Sequence, residues 1–277
     1  MKKNTKIEHT KLANNIMYYI YKYIDTYINL DELSQDLKIS KFHMHRVFKN
    51  EFGRNIYESI KNIRLQKALN LLITNKNSTI TQIANSCGYS SSSSFIKAFK
   101  NKYDITPSNW RNIEYKNYLK DIKSFENLVS INIANMPEID VYYIRHKGYN
   151  KYIKKIWQKL KVFCLTNDLK DYRYIALYHD NPIITPINEC QYVACIESKN
   201  AKSTTLPTLK IPGGIYAKFD FSGEYGDILK FMNWVYFKWL IESGFETTTN
   251  PAYTIYHKNH FLGNDKFEVS YYLPIKL

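Results

Sequence analysis

The chain has 277 residues, of which 44% are hydrophobic and 23% charged, the composition of soluble folded protein with room for two ordinary domains. No apolar run approaches the roughly 18 residues needed to span a bilayer. Met1-Lys2-Lys3-Asn4 leads into polar residues rather than a signal-peptide core, so no membrane partner and a cytoplasmic location are expected. The formal net charge is +14 and unevenly spread: residues 1–112 hold 18 Lys+Arg against 8 Asp+Glu, a balance of +10, while residues 113–277 hold 21 against 17, or +4. A polyanion partner for the basic third would gain affinity by releasing counterions, although basic domains also arise without one.

Leu12 to Ile24 repeats apolar residues at helical spacing, with Ile16, Tyr19, Ile20, Tyr23 and Ile24 on one stripe, which predicts a first helix. Asn29-x-x-Glu32 has the form of a capping box, and Thr79-x-x-Gln82 opens a second segment in the same manner. The stretch Phe48-Lys49-Asn50-Glu51-Phe52 returns fifty-one residues later as Phe99-Lys100-Asn101-Lys102-Tyr103. Each copy follows a short apolar-periodic segment and a turn, so the order is helix, tight turn, helix, twice. Between the copies, Asn55 to Ile73 has no Gly or Pro and reads as one helix of about 28 Å. A rod of that length can hold two reading helices about one turn of DNA apart, roughly 34 Å, so that one chain enters two successive major grooves.

In the first unit Ser40 reads as an N-cap, and Met44, Val47, Phe48 and Phe52 form the buried stripe of the second helix. Phe42, His45, Arg46 and Lys49 then project together from the opposite face. Arg46 can donate two parallel hydrogen bonds to guanine O6 and N7, His45 can bond a base edge, and Phe42 can touch a thymine methyl; Lys49 suits a phosphate. In the second unit Phe95, Phe99 and Tyr103 step into the core, which exposes Ser92, Ser93, Ile96, Lys97 and Lys100. The serine run Ser90 to Ser94 has the composition of a linker, but it runs straight into that apolar stripe and reads as a cap and first helical turn. Gly88 suits the left-handed residue that ends the preceding helix; the matching position in the first unit is Lys38, at a cost of about 1 kcal/mol.

Together these residues resemble the DNA-binding domain of the AraC/XylS family of transcription regulators, over residues 10 to 112. The resemblance rests on Ile39 to Lys49, on Gly88-Tyr89 with Phe95 and Phe99-Lys100, and on Ile105-Thr106-Pro107-Ser108-Asn109-Trp110-Arg111. It implies base contacts by Phe42, His45 and Arg46 in one helix and by Ser92, Ser93, Ile96 and Lys97 in the other. Family members often carry Trp and Gln where Phe42 and His45 stand, so the operator sequence does not carry over.

Residues 111 to 127 show little patterning, and the domain boundary is placed there: residues 1–112 for the helical domain, 113–126 for a linker and 127–277 for a second domain. Beyond it, residues 139–145, 173–179, 191–197, 214–221, 252–257 and 267–273 read as strands rich in Tyr, Ile, Val and Phe. Two helices, Tyr149 to Cys164 and Tyr225 to Ser243, interrupt them. A faint repeat of strand, helix, strand, strand gives an α+β domain with a cleft between two modules. The four cysteines, Cys87, Cys164, Cys190 and Cys195, contain no CxxC pair and read as buried reduced thiols.

This second half resembles the GyrI-like effector-binding domain, on Pro212-Gly213-Gly214-Ile215-Tyr216-Ala217, Trp239 to Phe245 and Leu273-Pro274-Ile275. The resemblance implies a small organic effector, often cationic, held in an aromatic cleft with an acidic residue. Trp234 and Tyr236 on the second helix and Tyr272 in the last strand supply candidate rings, and Glu268 a counter-charge, with Glu197 as a weaker alternative. Three functions from different classes follow. The reading favoured is a DNA-binding regulator working as a monomer or weak homo-oligomer, with RNA polymerase as a further partner and no cofactor or metal. The alternatives are a small-molecule hydrolase using a cleft Glu and a protein-docking module. No Ser/His/Asp spacing, metal-ligand cluster or phosphate-cradling Gly loop supports an enzyme.

Overall fold

The computed structural model describes residues 2–120, 125, 129–198, 206–224, 226–263 and 266–277. Seven helices come first: α1 (Lys2–Lys22), α2 (Leu30–Asp36), α3 (Lys41–Phe52), α4 (Ile56–Thr74), α5 (Ile80–Ser86), α6 (Ser92–Tyr103) and α7 (Pro107–Lys120). Side-chain caps set where they start. Asn29, Ser40, Asn55, Thr79 and Ser91 each accept from amides of the first turn, and Thr79 with Gln82 closes both arms of a capping box. The two tight turns pass through left-handed residues, Gly88 at φ +74° and Lys38 at φ +53°. Helix α7 runs on into the stretch expected as a linker; residues 121–124 and 126 of that stretch, and 127–128 at the start of the expected second domain, lie outside the described residues.

Ile16, Met17, Ile20, Leu33, Met44, Phe48, Ile60 and Ile63 bury the first helix-turn-helix unit. In the second unit Ile83, Phe95 and Phe99 pack on the latter half of α4. The closing Trp110-Arg111 pair acts structurally: Trp110 packs against Phe99 and Tyr103, while Arg111 Nε donates to the Leu72 carbonyl at the open end of α4.

The rest of the chain is strand-rich, with β1 (Ser130–Met136), β2 (Ile139–Lys147), α8 (Ile153–Thr166), β3 (Tyr172–Tyr178), β4 (Gln191–Ser198), β5 (Thr208–Ile211) and β6 (Gly214–Glu224). A broken helix follows, α9 (Asp227–Trp234), a π-helical turn (Val235–Trp239) and α10 (Leu240–Ser243), then β7 (Glu246–Thr247), β8 (Ala252–Lys258) and β9 (Lys266–Lys276). Tyr225, expected to begin that helix, lies outside the described residues. The sheet is antiparallel in the order β1-β6-β9-β8-β3-β4-β2-β5, with β7 joined to β9.

All six expected strands form. The others gave little signal for physical reasons: β5 and β7 are very short, and β1 is an edge strand whose Ile131 and Ile133 stay largely exposed. Strand parity separates two apolar faces. Phe267, Val269, Tyr271 and Leu273 of β9 join Trp157 and Leu160 of α8 and Phe231 of α9 in one cluster. Tyr272 joins Val141, Tyr143, Tyr216 and Tyr253 in the other, against which Tyr18 of α1 packs.

The helical region is seated on the sheet domain through buried polar contacts. Lys67 Nζ donates to the His179 carbonyl, Asn181 Nδ2 to Asn70 Oδ1, and Tyr143 Oη to Asn14 Oδ1. The core cluster containing Leu69, Leu72 and Phe99 is continuous with that of α8 and α9.

Candidate nucleic-acid interface and ligand cavity

Burial of Met44, Val47 and Phe48 turns the other face of α3 outward. Phe42 is 75% exposed, Arg46 and Lys49 are exposed, and His45 is half-buried beside Tyr57 with ring centroids 5.8 Å apart. Arg46 is held in place rather than loose: its Nη2 lies 3.1 Å from His43 Nδ1, and its guanidinium sits over the Phe42 ring. The spacing i, i+3 carried that contact, which sequence reading missed. On α6, Phe95 and Phe99 are buried, so Ser93, Ile96, Lys97 and Lys100 are exposed and Ser92 half-exposed. The serine run is the cap and first turn it was expected to be, Ser91 Oγ accepting from the Ser94 amide at 3.2 Å. All nine residues expected to meet DNA therefore lie on the outward faces of α3 and α6. Tyr57, 66% exposed at the start of α4 beside His45, extends the first face.

A cavity of about 160 Å³ opens between the start of α8 and the start of α9. Its walls are aromatic and apolar: Tyr149 and Ile153, Tyr178 and Tyr192 from β3 and β4, Tyr256 from β8, and Leu229. Two of the phenols are tied down, Tyr178 Oη to Thr254 Oγ1 at 3.1 Å and Tyr192 Oη accepting from Trp157 Nε1 at 3.0 Å. The Tyr149 hydroxyl is buried with no hydrogen-bond partner among the described residues, an expensive arrangement unless something fills the need. Burial pushes the Tyr149, Tyr178, Tyr192 and Tyr256 phenols well up, so they stay neutral donors, and it lowers the neighbouring His260 imidazole to about 4.

None of the four residues expected to hold the ligand lines this cavity. Glu268 and Tyr272 occupy β9 positions of the opposite parity from the helix-facing residues. Glu268 is exposed and paired with Lys258, while Tyr272 is buried against Tyr253 at 4.5 Å between ring centroids. Tyr236 is buried in the core, its hydroxyl accepting from Tyr271 Oη, and Trp234 packs half-buried on Phe125, Phe219 and Phe231. Glu197 forms an ion pair with Arg173. Among the described residues no carboxylate lines the cavity, so of these only ring faces are offered to a cation.

Residues 130–276 match the family described as the GyrI-like small molecule binding domain, and residues 33–113 match a helix-turn-helix domain family. The chain belongs to the GyrI-like family. It joins that domain to a DNA-binding region of the AraC/XylS type. Among curated relatives, the xylose operon regulatory protein of Escherichia coli K12 is 35% identical over 97 residues, covering 35% of this chain and 24% of that protein. Regulatory protein SoxS of the same organism is 29% identical over 105 residues, 38% of this chain and 97% of that one. The chain thus spans about a quarter of the length of the first of these. Among solved structures, the C-terminal domain of AraT, a response regulator from Geobacillus stearothermophilus, aligns with a TM-score of 0.35 at 26% identity, over 36% of this chain and 84% of that one. Among the described residues no helix is long and apolar enough to cross a membrane.

Proposed function

We propose that this chain is a ligand-responsive transcription regulator that reads duplex DNA with α3 and α6 and binds a small ring-bearing organic effector in the tyrosine cavity. One observation carries the reading: both second helices bury one face completely and turn a face of basic groups, hydroxyls and apolar side chains outward, on either side of the 19-residue α4. Arg46, pre-held by His43 and Phe42, reads guanine; Ser92, Ser93, Ile96 and Lys97 supply less discriminating contacts; Lys49 and Lys100 meet phosphate. That the relatives are named regulatory proteins supports a regulator rather than an enzyme.

The helical domain ends near residue 112, within α7, a connection spans 113–126 and includes the remainder of that helix, and the effector domain begins near 127. Within it, β2-α8-β3-β4 and β6-α9-β8-β9 are two copies of one strand-helix-strand-strand module; the central pairing of β3 with β8 supports this, and the cavity lies between the two helix starts. With tyrosine walls and, among the described residues, no carboxylate, the cavity favours a neutral or weakly basic planar ring that can accept from the Tyr149 hydroxyl. The protein works as a monomer or weak homo-oligomer that contacts RNA polymerase from a single DNA site.

Selection of bound sequences from random duplexes, with and without small aromatic compounds, tests the reading. Enrichment of one bipartite site is expected, with Arg46→Ala losing about 1–3 kcal/mol of specific binding at one position of it. Equal recovery of all sequences would defeat it.

A further inference from the structure

The lysines of the effector domain fall into two populations. Outside residues 141–167 they are largely neutralised nearby, Lys210 by Glu138, Lys218 by Asp220, Lys230 by Asp227, Lys258 by Glu268, Lys266 by Glu224 and Lys276 by Glu246. From Val141 to Asn167 the chain carries seven Lys/Arg and no Asp or Glu, so this stretch holds +7 while the remainder of residues 113–277 sums to −3. The positive excess of the second half is therefore one local feature.

Its placement gives it a partner. Burial of Ile153, Ile156, Trp157, Leu160 and Phe163 against the sheet turns Lys154, Lys155, Lys159 and Lys161 of α8 to solvent, with Lys147 and Lys151 exposed just before the helix. Among the described residues none of these six lysines is in an ion pair. Lys147 and Lys159 also line an open groove of about 600 Å³ whose other wall is Lys6 and Lys11 of α1, and which ends at Glu51 and Phe52, the last turn of α3. The basic surface of the effector domain thus begins beside the first DNA-reading helix and continues the basic face of α1. Six exposed ammonium groups with no ion-pair partner among the described residues, carried on one helix and the segment just before it, cost self-repulsion that a phosphate backbone relieves with release of counterions.

We infer that the α8 lysine face is a second DNA-backbone contact, by which the effector domain grips the duplex flanking the site read by α3. The inference rests on the DNA-binding reading above and adds that the GyrI-like domain itself touches DNA, sequence-independently. It also gives an effector bound at the start of α8 a direct route to DNA affinity.

The test is the salt dependence of binding by the full chain to a 45-base-pair random-sequence duplex. The variant Lys154→Gln/Lys155→Gln/Lys159→Gln is compared with the unaltered chain, all three positions being exposed. The slope of log K against log salt is expected to become shallower by about 0.9 for each phosphate that the variant leaves unneutralised, with thermal stability unchanged. In a second arm, Lys155→Cys carries a photoactivated cross-linker; the four native cysteines are buried, so labelling is selective. Cross-links to the duplex are expected from this position and not from a Lys266→Cys control. An unchanged slope with no cross-links above the control overturns the inference, and this is also the result if the face serves an acidic protein or a small anion. Failure of the DNA-reading proposal shows separately, as Arg46→Ala binding a selected site as tightly as the unaltered chain does.

Discussion

Lys67 Nζ, on the inner face of α4, donates to the backbone carbonyl of His179 at 2.7 Å, and both residues are buried. The contact joins α4, which links α3 to α5 and α6, to the end of β3, where the His179 ring stacks on Tyr21 of α1 at 3.7 Å. Burial holds the Lys67 ammonium down to about 8, with Asp180 pulling the other way, and it pushes the Asp180 carboxyl up.

A pH dependence follows from Lys67. Between about 8 and the unfolded value of 10.5 the unfolded chain holds this proton and the folded chain sheds it, so stability gained through Lys67 rises with pH across that window. Lys67→Met lacks the titration. Urea unfolding of both proteins at steps from pH 7 to pH 9.5 should show wild type gaining on the variant above pH 8, by up to about 1.4 kcal/mol per pH unit. Parallel curves would mean that the ammonium is hydrated, not buried between the domains.

The two tight turns make a second prediction. A Cβ on Gly88 would lie 2.6 Å from the Ile24 carbonyl oxygen and 2.7 Å from Arg64 Nη2, at a φ of +74°. Arg64 there donates to the carbonyls of Ile24 and Thr26, tying the end of α1 to α4. Gly88→Ala should therefore cost more than the ~1 kcal/mol of left-handed strain alone. At the equivalent turn Lys38→Gly should stabilise by roughly 1 kcal/mol. Thermal unfolding reads both; a neutral Gly88→Ala would contradict the packing.

Much of the helical region was legible because its signals are local. Ser40, Thr79 and Ser91 announce helix starts, Gly88 and Lys38 mark the turns, and steps of four from Phe95 to Tyr103 fix which face is outward. The strands showed where Tyr, Ile and Val cluster; β1 was missed at the sheet edge, and β5 and β7 because two to four residues carry no periodicity. The tyrosine cavity was not legible, since Tyr149, Tyr178, Tyr192 and Tyr256 come from separate segments of the chain. The aromatic helix from Phe231 to Trp239 packs Phe231, Tyr236 and Phe237 in the core and leaves Trp234 and Trp239 half-buried. Parity within β9 puts Glu268 and Tyr272 on the face away from α8 and α9. Lys67 reads as a surface lysine until the sheet covers it.

The orphaned Tyr149 hydroxyl separates stability from binding. Tyr149→Phe removes a buried donor that has no partner among the described residues, so folding should be unchanged or improved by about 1 kcal/mol. If that hydroxyl orients the effector, affinity for an aromatic ligand identified by thermal shift should fall about tenfold, the worth of one hydrogen bond. A variant destabilised by more than about 2 kcal/mol would show instead that the hydroxyl is satisfied within the fold.

At the far end of α4 the two domains are latched. Asn75 Nδ2 donates to the Thr247 carbonyl at 2.8 Å while Asn75 Oδ1 accepts from the Thr247 amide at 3.0 Å, and Thr74 Oγ1 lies 2.9 Å from Thr247 Oγ1. Next to them the Glu246 carboxylate accepts from both the amide and the hydroxyl of Ser78. All five residues are buried, so removing Glu246 strands two donors away from water. Glu246→Ala should cost about 2–4 kcal/mol, and Ser78→Ala should cost less in that background than alone, with a coupling of roughly 1–3 kcal/mol. Because Lys67, Asn70 and Asn75 hold the same helix to the sheet domain, the intact protein should unfold in one calorimetric transition. The double variant should split it, the helical half melting first. Additive costs and a single transition in every variant would place the coupling between the domains in the shared apolar cluster of Leu69, Leu72 and Phe99 rather than in the latch.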